Sequence, residues 1–136
     1  MDIDESEISD IRDFIESLNS KKDSIVVVEG KRDEDALKKL GFSGNVCQFH
    51  NFKGLVKFVD SMPWSKTLII LLDLDRKGSY LTKRIITHLA HRMTVDLSFR
   101  RKLVVITKGK VRHIEDLSLY SEAFNKHLYL PFGNLK

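Results

Sequence analysis

The stretch T-L-I-I-L-L-D-L-D-R-K-G, residues 67–78, places two carboxylates directly after five consecutive apolar residues, 68–72. An uninterrupted short apolar run is typical of a strand buried on both faces, as in a parallel sheet covered by helices. Residues i and i+2 of an extended chain point the same way, so Asp73 and Asp75 project together from the carboxyl end of this strand. Two like charges this close favour a cation between them, and Mg²⁺ prefers carboxylate oxygens. The alternative is a strand-end loop with two solvated acids, because an isolated D-x-D is a weak motif.

An earlier strand ends in a comparable way. The predicted first strand is 24–28, S-I-V-V-V, in which residues 25–28 are β-branched and apolar, and Glu29 and Gly30 follow it. A charged residue just past a buried strand, beside a glycine that allows a sharp turn, is where open α/β sheets build their sites. Asp33 then opens a helix that runs through Leu40, and it either caps that helix or joins a metal site.

The remaining chain alternates helices with strands. We predict helices over 5–18, 52–61 and 79–93, strands over 45–49 and 103–106, and a last helix opened by Glu115 and Asp116. This alternation predicts an α/β protein, a three-layer α/β/α Rossmann-like fold with a mostly parallel four-stranded sheet. In the strand order 2-1-3-4, the first and third strands are neighbours at the topological switch point. Glu29, Asp73 and Asp75 would then meet in one crevice.

The charge of the chain is unevenly distributed. Its 23 Lys and Arg exceed its 19 Asp and Glu by four, yet residues 1–16 contain seven acids and only one base. Residues 17–136 therefore hold 22 basic and 12 acidic side chains, a balance of +10. A basic body favours a polyanionic partner such as RNA or DNA, although solvated lysine-rich faces are common in other proteins. The acidic helix over 1–20 either packs on the domain, 21–127, or docks onto a protein partner, and a tail follows over 128–136.

Basic residues surround the predicted strand ends. No acid occurs over 98–113, and Lys108, Lys110 and Arg112 follow the predicted fourth strand. Because parallel strands end at one edge, we expect these side chains near Glu29 and Asp73, where they could hold phosphates. The full set of predicted nucleic-acid contacts is Lys31, Arg76, Lys77, Lys108, Lys110 and Arg112.

Other features exclude several classes of protein. No apolar run approaches the roughly 20 residues of a membrane span, and the acidic N-terminus is unlike a signal peptide. A single cysteine, Cys47, forms no intramolecular disulfide and fits a reduced, cytoplasmic protein. His88 and His91 are three residues apart on one predicted helix, and without a third ligand we interpret them as surface histidines rather than a zinc site.

Together, I-V-V-V-E-G-K-R-D at 25–33 and L-L-D-L-D-R-K-G at 71–78 resemble the two signatures of the Toprim domain. That domain is shared by topoisomerases, bacterial-type primases, several nucleases and recombination-repair proteins. The likeness is closest to the short stand-alone archaeal Toprim proteins. It covers about residues 20–120 and includes G-x-V-x-x-I-E-D-L at 109–117. The paired signatures, about forty residues apart, are far more specific than either alone.

The resemblance implies a role for each matching residue. Glu29 is similar to the glutamate that acts as a general acid or base, or joins metal binding. Asp73 and Asp75 match the Mg²⁺-binding aspartates, with Mn²⁺ as a substitute ion, and Asp33 matches an acidic position of nuclease members. Gly30 and Gly78 match the turn glycines.

Two positions depart from the Toprim pattern. Leu74 stands where many members have proline, and Ser79 stands where many have glutamate. The missing acid weakens a two-metal site, and Glu115 or Asp116 are the candidate replacements. We expect a Mg²⁺-dependent nuclease, or alternatively a nucleic-acid-binding subunit without turnover. A receiver-like phosphoacceptor with Asp73 modified fits less well, because Glu29-Gly30 stands where an acidic pair is needed.

Overall fold

Four strands form one parallel sheet at the centre of the protein. The computed structural model, which describes residues 3–64 and 66–128, contains β1 (Ser24–Val28), β2 (Val46–Gln48), β3 (Thr67–Ile70) and β4 (Thr94–Asp96). The strand order is β2-β1-β3-β4, and each neighbouring pair is parallel. The predicted α/β class is confirmed, and so is the predicted order of the first three strands, 2-1-3. β1 and β3 therefore lie side by side at the topological switch point.

Helices cover both faces of the sheet. Within the described residues they are α1 (Glu5–Asn19), α2 (Lys31–Lys39), α3 (Leu55–Ser61), α4 (Arg76–Leu89), α5 (Ser98–Thr107) and α6 (Leu119–Leu128), with 3-10 turns at Phe49–Asn51 and Ile114–Ser118. Helices α3 and α4 pack on one face, whereas the others pack on the opposite face. None of the helices in this part of the chain is long and apolar enough to cross a membrane.

The two central strands are apolar throughout because each of their faces meets a helical layer. Alternate residues of β1, such as Val26 and Val27, belong to different core clusters. Residues 69 and 71 likewise face the layer of α1 and α5, while residues 68, 70 and 72 face α3 and α4. This arrangement is the physical reason for the uninterrupted apolar run that precedes Asp73.

The predicted fourth strand over 103–106 is wrong. Those residues belong to α5, in which Leu103 is buried and Val104 and Val105 are exposed. Burial of Phe99, Leu103 and Thr107, four residues apart, follows the helical period. The actual edge strand, Thr94–Asp96, is short and half exposed, so it lacks the apolar signal of the central strands.

Helix α1 is attached to the body by both apolar and polar contacts. Its N-cap is Asp4, whose side chain accepts a hydrogen bond from the Glu7 N–H at 2.8 Å. The apolar face of α1 is buried in the same cluster as β1 and α5. Glu7 is itself buried, and it accepts hydrogen bonds from the Tyr120 hydroxyl and, at 2.9 Å, from Lys110 Nζ. The acids Glu5, Asp10, Asp13 and Glu16 remain exposed.

Removing the Glu7 carboxylate is expected to destabilise the fold. Glu7→Ala leaves the fully buried Tyr120 hydroxyl without its acceptor, at a cost of about 2 kcal/mol in the free energy of unfolding. Urea unfolding monitored by circular dichroism measures this change. Glu5→Ala, an exposed change in the same helical turn, is the control, and equal unfolding midpoints for the two variants would refute the buried network.

The thiol of Cys47 on β2 is expected to react slowly. Burial, and secondarily the negative charge of Glu34, raise the pKa of Cys47 to about 12, so the thiol stays protonated at neutral pH. Alkylation by iodoacetamide at pH 8 should therefore be much slower in the folded protein than in denaturant. Equal rates in the two conditions would contradict the raised pKa of this half-buried thiol.

Candidate metal centre at the carboxyl edge of the sheet

The neighbouring ends of β1 and β3 bring the predicted carboxylates together. Pairing continues one residue beyond β3, since the Leu71 N–H donates to the Val27 carbonyl at 2.9 Å. Just past that point, Glu29 Oε2 accepts a hydrogen bond from the Asp73 N–H at 3.2 Å. Glu29 and the start of the D-x-D are thus in direct contact across the switch point.

Asp73 and Asp75 form a compact group with a residue from a distant part of the chain, His113. One ligand atom from each of the three side chains lies within 4.8 Å of the others. His113 Nδ1 is 3.4 Å from Asp73 Oδ2 and 3.8 Å from Asp75 Oδ2. The hydrogen bond to Asp73, and then the charges of Asp73, Asp75 and Asp116, raise the pKa of His113.

Backbone N–H groups orient both aspartates. Asp73 Oδ1 accepts from the Ile114 N–H at 2.9 Å, and Asp75 Oδ1 accepts from the Gly78 N–H at 2.7 Å as the N-cap of α4. With Oδ1 held in each case, Oδ2 of each carboxylate faces His113. The two carboxylate oxygens suit Mg²⁺ or Mn²⁺, whereas an imidazole nitrogen is a more usual ligand of zinc, copper, iron or nickel. Hydrogen bonds that fix the ligands are usual at metal sites.

Gly78 is required by the close approach of two backbone segments. A Cβ at this position would fall inside van der Waals contact of the Asp73 carbonyl oxygen. The first turn of α4 can therefore pack against the D-x-D only when residue 78 is glycine. The sharp turn predicted at Gly30 is wrong, because its φ of −150° is ordinary extended backbone. Its constraint is space, because a Cβ there would lie 3.1 Å from His50 Nδ1.

Glu29 has the environment of a proton-transfer group. Its side chain is 9% exposed, and burial is the main cause that raises its pKa. The charges of Asp73, Asp75 and Asp33 raise the pKa further, while the hydrogen bond from Asp73 opposes them. A carboxyl in such an environment is a candidate general acid or base. Glu29 is not among the three residues of the compact ligand group, so its predicted metal contact stays a prediction.

Asp33 uses both carboxylate oxygens for backbone hydrogen bonds. Oδ2 accepts from the Gly30 N–H at 3.1 Å, which caps α2, and Oδ1 accepts from the Glu115 N–H at 2.9 Å. Burial is the first cause that raises the pKa of Asp33. The structure thus gives Asp33 the capping role, and it adds a connection to the 3-10 segment Ile114–Ser118.

Arg100, from the first turn of α5, links the end of β3 to α4. Its guanidinium donates to the carbonyl oxygens of Leu72 at 3.2 Å and Asp73 at 2.6 Å, and to Ser79 Oγ at 3.1 Å. Its positive charge also interacts with Asp75, Asp73 and Glu29. Ser79, where the Toprim pattern predicts an acid, therefore accepts a hydrogen bond from Arg100.

The predicted phosphate-binding residues are placed in three ways. Arg76 and Lys77 are exposed at the start of α4, directly after Asp75, and Lys31 is exposed at the start of α2, where it pairs with Asp35.

Lys108, Lys110 and Arg112 were predicted to follow a fourth strand. That prediction is wrong, because residues 108–112 follow helix α5. Lys110 binds Glu7, and Lys108 and Lys110 both lower the pKa of Asp4, after its hydrogen bonds to Glu7 and Ser6. Arg112 returns to the site, and its carbonyl accepts from the Leu74 N–H at 2.6 Å.

His113 and Arg100 were not predicted as site residues. Both lie in the acid-free tract 98–113, which drew attention only to its lysines and arginines as phosphate contacts. The position of His113 inside the G-x-V-x-x-I-E-D-L segment is the signal that could have identified it. Glu115, a candidate replacement for the missing acid, instead lies 3.8 Å from Arg32 Nη1.

Comparisons with known proteins identify the family of the chain. It is 35% identical over 113 residues to a UPF0292 protein of Thermococcus sibiricus, a match that covers 82% of each chain. The chain belongs to the UPF0292 family. A UPF0292 protein of Methanocaldococcus jannaschii is 34% identical over 107 residues, 76% of this chain and 80% of the relative. No protein-family model matches.

A solved structure also resembles this fold. A protein from Aquifex aeolicus superimposes with a TM-score of 0.61 and 28% sequence identity, covering 76% of this chain and 94% of that one. The names of these UPF0292 and Aquifex relatives state no substrate or activity.

Substituting Gly78 is expected to disrupt the site. In an ordinary helix, Gly→Ala stabilises by roughly 0.5–1 kcal/mol. Gly78→Ala should instead lower the thermal midpoint, because the new methyl displaces the Asp73 backbone. Calorimetry measures whether the thermal midpoint falls in Gly78→Ala, and Lys77→Ala, an exposed change in the same turn, is the control. A stabilised Gly78→Ala protein would contradict the close packing.

Proposed function

We propose that this chain is a Mg²⁺-dependent nuclease, also active with Mn²⁺, whose site is of the Toprim type. The observation that carries the proposal is the group of Asp73, Asp75 and His113, with the buried Glu29 in contact with the Asp73 backbone. Paired carboxylates beside a separate proton-transfer group are what metal-assisted phosphodiester hydrolysis needs. The Toprim resemblance of residues 25–33 and 71–78 supports the same reaction.

Asp73 and Asp75 would hold the metal ion through the oxygens that face His113. A bound Mg²⁺ would polarise the phosphoryl group and offset negative charge on it. Glu29 would take a proton from the attacking water or give one to the leaving oxygen as the phosphorus–oxygen bond breaks. Arg100 would hold the loop after β3 against α4, because it donates to the Leu72 and Asp73 carbonyls and to the Ser79 hydroxyl.

Exposed basic residues beside these carboxylates would hold phosphates flanking the cleaved bond. Arg76 and Lys77 adjoin Asp75 in sequence, and Arg112 adjoins His113. Lys31, Lys108 and Lys110 would contribute to the same positive field, although Lys31 and Lys110 each have an acidic partner. Such contacts bind nucleic acid without regard to its sequence.

The second candidate is a nucleic-acid-binding subunit of a larger complex, without turnover. It is favoured by Ser79, which replaces an acid of the Toprim pattern and is bound by Arg100. The exposed acids of α1 would then meet a protein partner. Either function suits the cytoplasm, where a lone half-buried thiol such as Cys47 stays reduced.

Cleavage should depend on both the metal and Asp73. With Mg²⁺ or Mn²⁺, the native protein should cut labelled RNA or DNA, and EDTA should abolish cleavage. Asp73→Asn should lower the rate by at least about 100-fold, because a ligand and its charge are lost. Gel assays with single- and double-stranded substrates of both kinds measure this.

Asp60→Asn, an exposed carboxylate on α3, is the matched control and should keep the native rate. Undiminished cleavage by Asp73→Asn would refute the site. Salt-dependent binding without cleavage by either protein would assign the second function.

A further inference from the structure

The solvent-facing side of α4 is strongly basic. Residues 76–95 contain no Asp or Glu, but they contain five Lys and Arg and two His. The buried positions of α4, among them Ile85 and Leu89, face the core. Exposed positions such as Arg76, Lys83 and Arg84 lie on the opposite face, with Lys83 and Arg84 about two helical turns beyond Arg76. Helix α4 thus presents positive charge to solvent with no acid of its own to neutralise it.

An exposed tyrosine lies within this basic face. Tyr80 is 62% exposed, and the Arg84 guanidinium carbon is 6.0 Å from the centre of its ring. Arg84 Nη1 also donates to the Tyr80 hydroxyl at 3.3 Å. The ring is held beside a cation, and its large exposed area leaves it available for stacking.

An exposed tryptophan lies at the other end of α4. Trp64 is 65% exposed, and Arg92 lies against its ring with Cζ 5.1 Å from the centroid. Arg92 Nη2 donates to the carbonyls of Val59 and Met62, which fixes the guanidinium beside the indole. The His91 ring is 6.3 Å from the Trp64 ring, and both residues line an open cavity of about 420 Å³.

The two aromatic residues are separated along the helix. Tyr80 is one turn into α4, close to Asp75, whereas His91 and Trp64 lie beyond its far end. Helix α4 has 14 residues and is therefore about 21 Å long at ~1.5 Å per residue. A ligand extended along this face would pass from Trp64 over the basic residues to the carboxylate group.

We propose that this face, the α4 surface (Trp64, Arg76, Tyr80, Lys83, Arg84 and His91), binds a single-stranded nucleic acid and leads it to the Asp73–Asp75 site. The inference rests on the proposed nuclease function and names its substrate as a single strand. Basic residues that follow a backbone, with aromatic rings on which bases stack, are the elements of single-strand binding. Base pairs inside a duplex keep their faces stacked, so they cannot reach Tyr80 or Trp64.

Trp64 is the only tryptophan of the chain, so its fluorescence reports directly on this surface. Oligothymidylate and oligouridylate of about 12 nucleotides, within the usual site sizes of roughly 4–16, should quench Trp64 emission on binding in EDTA. A duplex of equal length should bind more weakly and leave the emission unchanged. Tyr80→Ala should weaken single-strand binding by roughly tenfold, as expected for one lost stacking contact.

The charge contribution is tested with a double reversal, Lys83→Glu with Arg84→Glu. Fluorescence anisotropy of a labelled oligonucleotide should show weaker binding and a salt slope smaller by about 1.4, because two phosphate contacts are lost. Lys39→Glu with Arg101→Glu is the control, since it makes the same change of charge on the opposite helical layer.

Binding in EDTA separates this proposal from the nuclease assignment. Unquenched Trp64 at saturating single strand, equal affinity for duplex, or equal losses in the two double variants would each overturn the α4 surface. Metal-dependent cleavage of duplex by a protein that binds no single strand would overturn it as well, while the nuclease function would stand. Quenching with either oligonucleotide, lost in the Lys83 and Arg84 double variant, supports it.

Discussion

Like-charge repulsion between Asp73 and Asp75 is the constraint on which the carboxyl edge of the sheet depends. The two side chains leave one strand end together, and Glu29 adds a third carboxylate in contact with the same backbone. The protein offsets this repulsion with directed backbone N–H groups, from Ile114 and Gly78, and with the Arg100 guanidinium. These groups hold the carboxylates in place without occupying the oxygens that face His113.

The same contacts determine how the carboxyl-terminal segment folds back. Arg112, Ile114 and Glu115 form backbone hydrogen bonds with Leu74, Asp73 and Asp33 in turn. The segment therefore joins the loop that follows β3 to the first turn of α2. His113 reaches the carboxylates because its two flanking residues are fixed.

The sequence predicted the centre of this structure better than its edges. The central strands and the meeting of Glu29 with Asp73 follow from buried apolar runs that end in acids. Residues 103–106 were wrongly predicted as a strand because four consecutive apolar residues fit a strand as well as a helix. The sequence does not show that two of them, Val104 and Val105, are exposed. Strand Thr94–Asp96 was missed because its exposed edge carries little apolar signal. His113 lies forty residues after Asp73, so the apolar runs that predicted the strand ends carried no information about it.

The backbone hydrogen bonds to Asp33 and Asp73 have a consequence for synthesis of the protein. Both acids are made long before Ile114 and Glu115, the residues whose N–H groups orient them. On the ribosome, the emerging chain holds Glu29, Asp33, Asp73 and Asp75 before it holds the Ile114 and Glu115 N–H groups that orient Asp73 and Asp33. The carboxylate group is therefore completed only when nearly the whole domain has been released, and a truncated product of translation carries an unassembled site.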